Sequence, residues 1–345
     1  MKSSPLAFLV SLPWLVTSSM VSRTYTAVPG FFIQDNATTA DAASSLVFIP
    51  PRFGLLDDSD NHWDELLAKV DRLNCEAEKG TSYKVVIFGR HGQGFHNVAE
   101  AKYGTEAWDD YWSKLDGDGE LVWGPDAELT PLGEDQARAV NQAWKTELAF
   151  NIPLPKRRYS SPMTRALNTY LLTFEDIPLV GRPLVLENLR EQYGEHTCDK
   201  RRSRTYIATT FPQFDIEQGF TEEDELWTAD ERESSVHVAS RAKAVLDVIF
   251  ENDVDETWYH QRVPGGCWEA IVFAPNWRCA TYGHQSSGEL TTYRADALCL
   301  GSPALSFSCW KASGPHRYLT TASNLPPPLP ATSDYPALKI AMDPP

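Results

Sequence analysis

The chain is poor in several things, and each shortage narrows what it can be. Six cysteines in 345 residues are too few for the disulfide framework that staples a small secreted scaffold. Four of them, Cys267, Cys279, Cys299 and Cys309, crowd into one C-terminal stretch. Positive charge is also short: 31 Lys and Arg stand against 47 Asp and Glu, a net charge of -16. A surface of that sign repels phosphate backbones and anionic lipid, which argues against nucleic acid or a membrane surface as partner. Apolar runs are short. The N-terminal one, Leu6 to Val16, is broken by Pro13 and falls well below the length that spans a bilayer. Gly89-Arg90-His91-Gly92-Gln93-Gly94 lacks both the spacing of a dinucleotide fingerprint and the lysine of a phosphate-binding loop. No internal repeat is visible.

What the chain does contain begins with Lys2, the apolar Leu6–Val16 run and Thr17-Ser18-Ser19, the pattern of a secretory signal. Residues 1–22 are therefore expected to be signal-like, and the glycosylation sequon Asn36-Ala37-Thr38 agrees with export. The sparse cysteines leave the cytoplasm as the alternative. Residues 23–60 show little periodicity and read as an extended arm. Trp63 to Leu73 carries Leu66, Leu67, Val70 and Leu73 at helical spacing. Val85-Val86-Ile87-Phe88 is a buried strand by composition, and Asn97 to Tyr103 looks helical. An aromatic, acidic stretch runs through Trp108, Trp112 and Trp123, either capping a pocket or packing on the domain. Thr130-Pro131 suits an N-cap and a first helical position, with Ala137, Val140 and Trp144 following. Arg157–Ser160 and Leu184–Leu186 are further strands, Ser161-Pro162 opens another helix, and Arg241 to Phe250 is the last. Strands alternating with helices predict an α/β architecture with a mostly parallel sheet.

Chemistry gathers at three of these junctions. Arg90 and His91 follow one strand, where an open α/β sheet places its ligands. Arg165 falls in the first turn of a helix that follows another strand. Backbone donors at a helix start plus two guanidinium forks suit a phosphate dianion. Glu187 to Arg201, after the third strand, packs acids, bases and a histidine into one loop. Each piece alone reads equally well as a charged surface.

Together they form an ordered set: Arg90-His91-Gly92 after a strand, Asn97 seven residues on, Leu129-Thr130-Pro131-Leu132-Gly133, and Ser161-Pro162-Met163-Thr164-Arg165-Ala166. In this the chain resembles the histidine phosphatase superfamily, with its phosphoglycerate mutase-like fold. Leu189-Arg190-Glu191 with His196 to Arg201 is most similar to the fungal and plant mutase-like phosphatase branch. The likeness covers roughly residues 27 to 257. It implies a three-layer α/β/α fold with a mostly parallel central sheet over residues 61–258, and an atypical, proline-tailed segment at 259–345.

The resemblance also implies roles. His91 is the nucleophile that takes the phosphoryl group, Arg90 and Arg165 clamp the phosphate, and Asn97 is a further pocket donor. Glu191 protonates the leaving oxygen and later activates water, with Glu187 and Glu195 as alternatives because the spacing to Gly194 departs from that of the mutases proper. No cofactor and no metal are implied, and the partner is a small phosphorylated substrate; oligomeric state is left open. The family also places a second histidine on a turn after a hydrophobic strand. Here the nearest match is Gly283-His284-Gln285-Ser286-Ser287-Gly288, about 25 residues late, with His260 and His316 as rivals. Residues 259–310 read as a retained intron or a shift of reading frame, a hypothesis that an in-frame transcript would sink. The expected function is a phosphomonoester hydrolase acting through phosphohistidine. The alternatives are a catalytically impaired pseudo-phosphatase that binds a phosphorylated ligand and a phosphoglycerate mutase-type phosphotransferase.

Overall fold

A computed structural model of the chain describes residues 23–35, 49–251, 268–273 and 305–314. The strands are β1 (Thr24–Val28), β2 (Thr81–Gly89), β3 (Arg157–Ser160), β4 (Leu184–Val185), β5 (Asp215–Ile216), β6 (Trp268–Phe273) and β7 (Leu305–Ser313). Among the described residues they form one sheet in the order β1-β7-β2-β6-β3-β4-β5. Pairing is parallel from β2 through β6, β3 and β4 to β5, and antiparallel where β7 joins β2 and β1. The helices are α1 (His62–Cys75), α2 (Phe95–Tyr103), α3 (Thr105–Asp110), α4 (Pro131–Leu148), α5 (Thr164–Thr173), α6 (Arg204–Thr210) and α7 (Ser235–Glu251).

Successive side chains of a strand point to opposite faces, and β2 shows what this achieves. Val85 and Ile87 pack in a core with Trp63, Leu66 and Val70 of α1, Trp144 of α4 and Leu167 of α5. Val86, between them, packs in a separate core with Val245, Leu246 and Ile249 of α7. Apolar residues on both faces of a strand require cover on both sides, and the α/β/α layering follows.

Two boundaries drawn on the sequence do not follow the sheet. The arm of residues 23–60 contributes β1, paired with β7 from Thr24↔Ser313 to Val28↔Cys309, and buries Phe32, Phe53 and Leu55 in the core. These residues sit in loops and short turns with no period, so spacing along the chain carries no trace of their burial. Residue 258 is no boundary either. β6 lies between β2 and β3 near the centre of the sheet, and β7 completes the other flank of β2. Within β6, Ala270 to Phe273 pair with partners more than a hundred residues away.

The Trp-bearing stretch has a core of its own: Trp108 and Trp123 are buried with Ala99, Ala127 and Cys198. It packs on the domain. Residues 1–22, the sequon Asn36-Ala37-Thr38, and His260, His284 and His316 lie outside the described residues.

Candidate active site

Three parallel strands end in register. Gly89 of β2 is aligned with Phe273 of β6, which is aligned with Ser160 of β3. The segments that follow Gly89 and Ser160 therefore leave the sheet at the same carboxyl edge, with β6 between them. Ser160 in turn pairs with Val185 of β4, which brings the loop from Glu187 onward to the same edge.

The loop after β2 is held by two glycines in close approach. A Cβ on Gly92 would sit 2.1 Å from the Gly133 carbonyl oxygen, and one on Gly133 would sit 2.1 Å from that of Gln93. Only a hydrogen at both Cα atoms lets α4 start directly against the loop. Thr130 caps that helix, its Oγ1 accepting from Gly133 N at 3.1 Å, while its own N donates to Gln93 O at 2.9 Å. Gly92 N donates to Thr169 Oγ1 of α5 at 3.1 Å. Asn97 Oδ1 accepts from Gly94 N at 2.9 Å, which leaves the NH2 end of its amide as the donor.

Within this frame His91 is almost fully buried, at 3% exposure. Its Nδ1 lies 2.6 Å from Gly92 O. A carbonyl can only accept, so the proton resides on Nδ1 and Nε2 presents a lone pair. Nε2 is buried and has no hydrogen-bond partner among the described residues. Burial first, then the charges of Arg165 and Arg90, holds the imidazole well below its ordinary range. A second ring, His96, lies 5.3 Å from it and is depressed by burial and the same arginines.

Arg165 is fully buried. Its Nη1 donates to Cys198 O at 2.7 Å, and its Nη2 donates to Asp199 Oδ1 at 2.9 Å and to Glu191 Oε2 at 3.2 Å. The helix that carries it begins at Thr164, two residues later than Ser161-Pro162 suggests, because a distant carboxylate caps it. Asp126 accepts from Thr164 N at 2.9 Å and from Thr164 Oγ1 at 2.6 Å. Burial raises this carboxyl to about 6 despite those bonds. Arg90 has a buried Nε without a partner and no ion pair among the described residues.

Of the three candidate acids, Glu191 shares the field of Arg165 and Arg90. Burial, then the neighbouring Asp199, raises its carboxyl above the ordinary range against the pull of both arginines. Glu187 is occupied elsewhere. It is buried, accepting from Arg190 Nη1 at 2.9 Å and from Arg201 Nε at 2.8 Å. Glu195 stands in a left-handed turn with φ 54, its N donating to Thr228 O at 2.8 Å, and its charge acts on His196.

Asp126, Asp199 and His96 belong to this neighbourhood without any local signal that names them. Asp199 sits in the charged loop, but that it bridges Arg165 and Arg232 Nη1 (2.8 Å) is a fact of the fold. Burial opposes its ionisation, yet Arg232 and Arg165 hold its carboxyl below the ordinary range. His196, Cys198 and Asp199 place potential ligand atoms within 4.8 Å of one another. Both Asp199 oxygens already serve guanidinium groups, and two fixed cations beside the cluster oppose a third.

A neutral buried histidine, flanked by two arginines and followed by a carboxyl of raised pKa, is an arrangement for phosphoryl chemistry. The profile of the histidine phosphatase superfamily (branch 1) matches residues 86–260. The chain belongs to the histidine phosphatase superfamily. It is 42% identical over 264 residues to a probable phosphoglycerate mutase of Arthroderma benhamiae, covering 72% of this chain and 78% of that one. To the probable phosphoglycerate mutase PMU1 of Saccharomyces cerevisiae it is 37% identical over 213 residues, 55% of this chain and 70% of the other. These place it in the mutase-like branch of the superfamily. Among solved structures, the ecdysone phosphate phosphatase of Bombix mori in complex with tungstate superposes with a TM-score of 0.40 at 14% identity, over 75% of this chain and 98% of that one. No helix of the described residues is long and apolar enough to cross a membrane.

Proposed function

We propose that this histidine phosphatase is a phosphomonoester hydrolase whose covalent intermediate forms on His91 Nε2. The observation that carries the reading is the state of that ring: Nδ1–H is committed to Gly92 O, so the lone pair of Nε2 is free to attack. Nε2 bonds to phosphorus as the bond from phosphorus to the ester oxygen breaks. Glu191, with its raised pKa, gives its proton to the departing oxygen. In the second half-reaction Glu191 takes a proton from water, the water oxygen bonds to phosphorus, and the P–N electron pair returns to Nε2. The Glu191 side chain is 19% exposed, so water has a route to it.

Arg90 and Arg165 stabilise charge on the non-bridging oxygens, which is most of what phosphoryl transfer asks of a protein. The Asn97 amide adds a donor. The second histidine of this reading is assigned from the sequence alone, to His284, which lies outside the described residues.

The names of the fungal relatives favour a second reading, transfer of phosphate within a phosphorylated sugar acid. The two differ in product. Hydrolysis of para-nitrophenyl phosphate and of 3-phosphoglycerate, with inorganic phosphate and isomer both quantified, separates them. Phosphate release abolished by His91→Ala is expected. Turnover equal in wild type and His91→Ala would defeat both readings, and phosphate binding without turnover would mark an impaired pseudo-phosphatase.

A further inference from the structure

We infer that Arg241, held by Glu233, is the positioning residue for Glu191, an inference that rests on Glu191 being the proton donor. Arg241 belongs to α7, on the face of the sheet opposite the α5 helix that carries Arg165. It is fully buried, and all five of its N–H donors are accounted for. Nε and Nη2 donate to the two oxygens of Glu233 at 2.6 and 2.5 Å. Nη1 donates to Asn188 O and Arg190 O, each at 2.9 Å, and Nη2 reaches Glu191 O at 3.2 Å.

Three backbone carbonyls of one short segment, ending on Glu191 itself, thus converge on a single buried cation. No donor is left for a ligand, so Arg241 acts through the loop. Glu233 is fixed in turn by His237 Nδ1, and its N donates to Tyr193 O at 2.9 Å. The Tyr193 ring lies under the Arg241 and Arg190 guanidinium groups, at 5.0 and 5.1 Å.

The consequence is geometric. Glu191 is gripped by its side chain from one layer, through Arg165, and by its main chain from the other, through Arg241. The distance from acid to phosphate clamp is set across the whole sheet. Lysine cannot replace this grip, since one ammonium offers three donors from a point and no planar fork.

A proton donor matters most when the departing oxygen is a poor leaving group. The test is kcat/KM for an activated aryl phosphate (para-nitrophenyl phosphate) and an alkyl phosphate (glycerol phosphate), in wild type, R241K, E233Q and E191Q. R241K should lose about 10²-fold on the alkyl ester, the scale of general acid catalysis, and only a few-fold on the aryl ester. E191Q should show the same split, and in R241K inhibition by inorganic phosphate should stay at the wild-type level. E233Q keeps the guanidinium and the shape of its partner, and should give a smaller split of the same sign; it carries the test should R241K fail to fold. Equal losses on both esters, or inhibition by phosphate weakened in parallel, would show a merely structural role and overturn the inference. Absence of a split in E191Q itself would instead remove the reading on which it rests.

Discussion

Replacing Asp126 by alanine should destabilise the start of α5 and, with it, Arg165. Asp126 is buried at 1% exposure, and its carboxylate satisfies both Thr164 N and Thr164 Oγ1. Thr164 is itself buried, so alanine leaves two donors without a partner. An orphaned buried donor costs about 1–3 kcal/mol and the loss of a helix cap about 0.5–2 kcal/mol. These overlap, because one of the orphans is the capped N–H. Asp126 also stands at φ 59, where alanine adds about 1 kcal/mol of strain that Asp and Asn tolerate. The sum is about 3 kcal/mol, a large share of a typical domain's ~5–15 kcal/mol.

Asp126→Asn separates charge from hydrogen bonding. Its oxygen can accept from Thr164 N, its NH2 can donate to the Thr164 hydroxyl, and the left-handed turn is kept. Because the carboxyl is raised from 3.8 to about 6 in the fold, the native state binds a proton there more tightly than the unfolded chain between those values. Its contribution to stability is therefore greatest at low pH and falls as pH rises through that window, by about 3 kcal/mol for a shift of this size. The asparagine variant lacks this slope. Urea unfolding at the two ends of the window, in wild type, Asp126→Ala and Asp126→Asn, reads both effects. A loss of less than about 0.5 kcal/mol in the alanine variant, the range of an unimportant surface change, would refute the capping argument. A difference between wild type and Asp126→Asn that does not change with pH would refute the electrostatic one.

Three further outcomes follow from the same geometry. Gly92→Ala puts a methyl 2.1 Å from Gly133 O; separating α4 from the loop moves His91, and kcat/KM on an aryl phosphate should fall by about 10²-fold or more, whereas an unchanged value would show that the close approach is dispensable. In the pH profile of kcat/KM, the acid limb set by His91 should lie below the ordinary imidazole range, and the alkaline limb set by protonated Glu191 above the ordinary carboxylate range. Asp199→Asn removes a negative neighbour that raises Glu191 and should move the alkaline limb to lower pH; an unmoved limb would assign it to another group.

Local physics along the chain was enough for much of the frame. The apolar run that ends at Phe88 lies inside β2, the helix read from Trp63 to Leu73 lies inside α1, and that from Arg241 to Phe250 lies inside α7. Thr130 and Pro131 start α4 as their chemistry requires. Each is a signal within one turn or one strand, where neighbours in sequence are neighbours in space. The arm and the segment beyond residue 258 were illegible for the opposite reason. β1, β6 and β7 acquire their roles by pairing with one another or with strands far away in the chain.

The same division runs through the site. By itself the sequence determined which residue types stand at the strand ends: an imidazole after a glycine-flanked strand end, two guanidinium groups, and an acid near a third strand. Only the tertiary structure separates the surroundings of Glu191 and Glu187, because burial and ion pairing are properties of the fold: Glu187 pairs with Arg190 and Arg201, while Glu191 meets Arg165. Only it brought in Asp126, 38 residues from the Thr164 it caps, and Arg241, 50 residues from the carbonyl of Glu191. A parallel sheet gathers the carboxyl ends of its strands at one edge, so residues that no spacing rule connects become neighbours there.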